Sequence, residues 1–149
     1  MEADRLAAIL RLRRMAVDSA REAMAGCIAG ETKAAELTHS YERLIWRQTE
    51  AASQLESTDL GTSSFAKWLP LAAQKLNAAR TEYEHSVAET FAGRACLRVA
   101  QSALAAIEEL WNAAKTAERI EAERRSLADL DEIVRSRPSL HEKEELLGM

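Results

Sequence analysis

With 149 residues, 30% of them charged, and only 5 glycines and 2 prolines, the chain has the composition of long helices and not of sheet. A net charge of −4 argues against a protein whose main task is to neutralise phosphates on nucleic acid. The opening Met1-Glu2-Ala3-Asp4-Arg5 carries acids where a signal peptide carries a basic stretch, and no apolar run is long enough to span a bilayer, so a cytoplasmic protein is expected.

From about Asp4 to about Glu56 there is no proline, and Gly26 and Gly30 are isolated. Two sevenfold seams run through this arm. One is Leu6, Arg13, Ala20, Cys27, Ala34, Tyr41, Gln48 and Leu55, and its companion is Leu10, Val17, Met24, Glu31, Thr38, Ile45 and Ala52. The cluster Ser57-Thr58-Asp59-Leu60-Gly61-Thr62-Ser63-Ser64 then breaks the pattern and predicts a turn at about 57–64.

A second arm runs from Phe65 to about Ser136 with a seam at Leu69, Leu76, Tyr83, Thr90, Leu97, Leu104 and Trp111, beside smaller residues at Ala72, Ala79, Ser86, Gly93, Ala100, Ile107 and Ala114. A strict heptad sustained this long implies left-handed supercoiling. The expected fold is all-α: a long antiparallel two-helix coiled-coil hairpin over 1–136, with a longer second helix and a short C-terminal tail, 137–149. Folding about Leu60 and Gly61 pairs residues whose numbers sum to about 121, which sets Leu10 against Trp111, Met24 against Leu97 and Ile45 against Leu76. The same register places Cys27 near Arg94 and Cys96, and Glu31 near Thr90 and Arg94, as a polar layer that reads either as a register lock or as a hinge. A disulfide is not expected of these two cysteines. Pro70 requires the second helix to begin just before it or to bend there.

The second arm outlasts the first by about 18 residues, from about Glu118 to Arg135, or about 27 Å of helix. Its apolar residues Leu127, Leu130, Ile133 and Val134 stand among charges as a stripe that invites another protein. Beyond Pro138, Ser139-Leu140-His141-Glu142 has the spacing of a capping box for a short last helix, or of a disordered tail.

No arrangement of chemistry-bearing residues emerges. His39, His85 and His141 are dispersed, and there is no phosphate-binding glycine loop, nucleophile elbow or metal-ligand spacing, so neither enzyme activity, cofactor nor metal is expected. Two features remain. Arg11, Arg13 and Arg14 make a basic run that the hairpin register brings toward Arg119 and Arg124; it reads as a solvated face or as a contact for an acidic surface. Tyr41, Trp46, Phe65 and Trp68 gather around the turn, where a two-helix tip cannot bury four large rings, and Trp46 and Trp68 read as partner contacts or as tip packing.

The opening Leu6-x-x-Ile9-Leu10-x-Leu12-Arg13, followed by Val17-Asp18-x-Ala20, the short polar turn, and a longer second helix ending in Glu123-x-x-x-x-Ala128-x-Leu130-Asp131-Glu132, resemble the FliJ and YscO family of type III export stalk proteins over nearly the whole chain. The resemblance implies a monomeric, non-catalytic shaft whose open end enters a hexameric export ATPase and whose other end meets the export gate protein or secretion chaperones. It implies ATPase contacts at Arg11, Arg13, Arg14, Arg119 and Arg124, and gate or chaperone contacts at Tyr41, Trp46, Phe65 and Trp68, matched by location along the hairpin. The rival readings are a dimeric coiled-coil scaffold or adaptor, paired through the overhang and through seam residues such as Thr90 and Gln101, and a helical nucleic-acid binder using the arginine-rich end, which the acidic total charge disfavours.

Overall fold

The computed structural model describes residues 2–54, 59–137 and 147–148. Two helices, α1 (Glu2–Gln54) and α2 (Asp59–Ser136), pack against each other as a hairpin in which the second is longer, 78 residues against 53. α1 meets no proline, and Glu2 and Asp4 in its first turn complement the positive end of the helix dipole. Arg135 does the converse in the last turn of α2.

α2 begins earlier than the turn residues suggest. Positions 59–64 are helical, so six of the eight positions of the expected turn at 57–64 belong to α2. The weak helix propensity of Gly61, Thr62, Ser63 and Ser64 costs up to about 1 kcal/mol per residue, and packing against α1 outweighs it. Pro70 accordingly lies well inside α2 and not near its start. It is exposed, so water can reach the Ala66 carbonyl that Pro70 deprives of a donor. The tail helix expected at 139–142 lies outside the described residues.

The chain divides into two units, Arg13–Leu104 and a second made of Met1–Leu12 with Ala105–Met149. In the first, Val17, Met24 and Thr38 of α1 and Ala72, Ala79, Ser86 and Thr90 of α2 are buried. The remaining described seam positions are half-buried, except the exposed Arg13 and Gln48. The seam read from the sequence is thus the packed seam.

Its register differs from expectation by about one helical turn. A Cβ on Gly93 would lie 3.3 Å from the Met24 sulfur and 3.6 Å from the Cys27 sulfur, and Thr90 donates its hydroxyl hydrogen to the Cys27 carbonyl at 3.3 Å. Met24 facing Gly93 and Cys27 facing Thr90 both give a residue sum of 117, not 121. Large residues therefore meet small ones: in this register Met24 stands over Gly93, Ile45 over Ala72, and Ala34 under Tyr83. The expected pairing put Met24 against Leu97 and Ile45 against Leu76, bulkier layers than the ones these two residues occupy. The polar layer shifts with it, so that Cys27 has Thr90 and Gly93 as neighbours in place of Arg94 and Cys96; both cysteines are free.

Polar side chains within the seam find partners. Thr38 donates to the Ala34 carbonyl at 2.9 Å and Ser86 to the Tyr83 carbonyl at 2.7 Å, so their burial leaves no hydroxyl unsatisfied.

In the second unit, Ala3 and Leu10 are buried and Leu6, Ile107, Trp111 and Ala114 are half-buried. From Lys115 to Arg137 every residue is exposed. The positions that continue the seam here are Glu118, Glu121, Arg125, Ala128, Glu132 and Arg135, so the apolar pattern that holds the hairpin ends with Ala114.

Candidate functional site

Within the unit Arg13–Leu104 the two edges of the hairpin differ in chemistry. On one edge Arg80 reaches Glu42 across the helices at 3.2 Å, and His39 lies 3.5 Å from the same carboxylate. On the other edge the α1 side is apolar, while the matching column of α2 carries Lys75, Glu82 and Glu89. There α1 presents a third sevenfold column, Ala16, Ala23, Gly30, Leu37, Leu44 and Ala51, all exposed, with Leu37 48% and Leu44 41% accessible. Seven-residue spacing holds these side chains in one line beside the packed seam.

Toward the turn this edge opens into a cleft of about 410 Å³ between Tyr41 and Leu44 of α1 and Trp68, Leu71, Ala72 and Ala78 of α2. A second hollow, lined by Ala51, Ala52, Gly61 and Phe65, shares Trp68 as its wall. Phe65 and Trp68 tilt against each other, ring centroids 5.9 Å apart at 35°. Small residues leave the hollows open, since Ala51, Ala52 and Gly61 offer nothing to fill the space beside the rings. The cleft can receive an apolar side chain, with Gln74 and Lys75 at its rim as polar anchors.

Of the four aromatics singled out in the sequence, the structure brings together Tyr41, Phe65 and Trp68 and leaves Trp46 apart. Trp46 follows the seam residue Ile45 directly, which turns it about 100° around the helix, and it is 65% exposed. Leu44 and Leu71 are the cleft residues that sequence reasoning missed. The signal was present, because Leu37 and Leu44 stand seven apart in a column without a charge from Ile9 to Ala51.

The arginines fall in both units. Arg13 and Arg14 are exposed on α1 in one. Arg11, Arg119 and Arg124 are exposed in the other, where Arg119 lies 3.7 Å from Glu123 and Arg125 lies 3.4 Å from Glu121. These are pairs along one helix and hold the guanidinium groups on the surface. Lys115 sits over the half-buried Trp111 ring at 4.5 Å, so this indole packs one part of its surface inward and offers a face to a cation.

Comparison of the chain with known protein families, with curated proteins and with solved structures finds no match. Among the described residues no helix is long and apolar enough to cross a membrane.

Proposed function

We propose that the protein is a non-catalytic coiled-coil stalk of a bacterial type III export apparatus, engaging a hexameric export ATPase at one end and the export gate protein or secretion chaperones near the turn. The observation that carries this reading is the inequality of the hairpin: α2 runs on from Lys115 to Ser136 with every residue exposed, the stretch a ring-shaped partner needs in order to grip a helix from all sides. Alternating charges along that stretch supply contacts that can be exchanged at small cost as ring subunits change state.

On this reading Arg11, Arg13, Arg14, Arg119 and Arg124 meet acidic groups of the ATPase. Tyr41, Phe65 and Trp68, with Leu44 and Leu71, form the docking face for gate or chaperone, and the exposed Trp46 makes a separate contact. A scaffold paired between chains through Thr90 is less well supported, because Thr90 is 3% exposed and hydrogen-bonded within its own hairpin. The test is co-purification with the export ATPase of the same cell and assay of its stimulated hydrolysis. Arg13→Glu and Arg124→Glu are expected to abolish the stimulation, and indifference to both reversals removes the stalk assignment.

A further inference from the structure

Beyond Ala114 the apolar residues of α2 change face. The seam positions become charged, while Ile120, Leu127 and Val134 recur seven apart on another side of the helix, with Leu130 beside them. They are 46%, 63%, 69% and 55% exposed, respectively, and no described residue covers them. Two residues flank this stripe along one edge, Arg124 and Asp131. Neither has an ion-pair partner among the described residues, although their neighbours Arg119 and Glu123, and Arg125 and Glu121, are paired at 3.7 and 3.4 Å.

We infer that the stripe pairs with the same stripe of a second copy of this chain, the two helices antiparallel. In a two-fold antiparallel pair, facing positions have a constant residue sum, and placing Leu127 against Leu130 of the second copy gives 257. Ile120 then comes up against Val134 of the second copy, within a turn of exact opposition, and the exchange repeats on the other side of the axis. The same offset sets Arg124 beside Asp131 of the second copy, twice per dimer. A parallel pair in register leaves Arg124 and Asp131 on the side of the interface away from their counterparts, so only the antiparallel arrangement brings these two charges together. Glu123, seven residues before Leu130, lies within the stripe and opposite Val134 of the second copy, and its carboxylate is held toward Arg119 of its own helix at 3.7 Å. A contact of so few turns falls short of the roughly 1,200 Å² of stable complexes, which places the dissociation constant on the order of micromolar. This pairing does not rest on the stalk reading. In a stalk it keeps the apolar stripe covered until a partner displaces the second copy.

Sedimentation equilibrium of the full chain tests it. The mass rises from monomer to dimer over roughly 1–100 μM, and Leu127→Glu holds it at monomer with helix content by circular dichroism unchanged. Arg124→Asp and Asp131→Arg each weaken the dimer by about tenfold or more, because each places like charges together twice. A one-to-one mixture of these two variants recovers the dimer, since the carboxylate introduced at position 124 of one chain then faces the guanidinium introduced at position 131 of the other. A monomer at every concentration overturns the proposal and leaves the stripe to a different partner. A dimer that survives Leu127→Glu, or a mixture no tighter than its components, overturns the pairing as described.

Discussion

Gly93 faces Met24 across the hairpin, and a Cβ added there would stand 3.3 Å from the methionine sulfur. Gly26 and Gly30 have nothing within 4 Å of the same point. A glycine inside a helix costs about 0.5–1 kcal/mol relative to alanine, so Gly26→Ala and Gly30→Ala are each expected to stabilise the chain by about that amount. Gly93→Ala gains less, because the Met24 thioether has to move a few tenths of an ångström. Gly93→Leu overpacks the layer and costs about 1–3 kcal/mol. Urea midpoints check the order; a Gly93→Leu chain as stable as Gly26→Leu would contradict the close approach.

The register itself can be read chemically. Cys27 faces Thr90, whose hydroxyl lies 3.3 Å from the Cys27 carbonyl oxygen, and both cysteines are free. In a chain carrying Cys96→Ser, the added substitution Thr90→Cys is expected to allow a short bifunctional thiol reagent to join the two positions within one chain. Arg94→Cys in the same background, one turn further along α2, is expected to react far less. Peptide mapping of the cross-linked product distinguishes them, and equal or reversed yields would restore the register with the larger sum.

Much of the fold is written in the sequence as period. The seams through Val17 and Met24 and through Ala72 and Ala79 are the buried ones, and the longer second helix follows from the seam continuing to Ala114 before charges take it over. Period fixes which face packs, yet it leaves the axial offset open. Any shift that keeps the seams together preserves the pattern, and the choice among shifts rests on side-chain volume, here on Gly93 and Ala72 receiving Met24 and Ile45. The turn read at 57–64 is too long for a related reason: Gly61 to Ser64 look like a break by propensity, and packing keeps them helical. At the cleft, Tyr41, Phe65 and Trp68 are legible as aromatics near the turn, whereas Leu44 and Leu71 become visible only once a third column beside the seam is traced and the two helices are set edge to edge.

Glu42 and Arg80 fix which edges of the two helices adjoin, and they do so at little energetic consequence. Their side chains are 41% and 53% exposed at a separation of 3.2 Å, so solvent screens the pair. A double-mutant cycle of Glu42→Ala and Arg80→Ala is expected to give a coupling below about 1 kcal/mol that fades further at about 1 M salt. A coupling several times larger would mean the pair is less solvated than its exposure indicates.

Trp46 and Trp68 separate partner contact from tip packing. Trp46 is 65% exposed, while Trp68 is half-buried, walls both hollows and packs on Phe65 at 5.9 Å. Trp46→Ala is therefore expected to change stability by less than about 0.5 kcal/mol. Trp68→Ala removes part of a packed aromatic surface and costs about 1–3 kcal/mol, below the full range for a buried ring because one face already meets solvent. Acrylamide quenching checks the geometry directly in chains that keep one of these indoles and replace the other, together with Trp111, by phenylalanine. The chain retaining Trp46 is expected to quench more steeply than the chain retaining Trp68. If the two quench alike, Trp68 is not the wall of a cleft, and the docking face beside the turn loses its anchor.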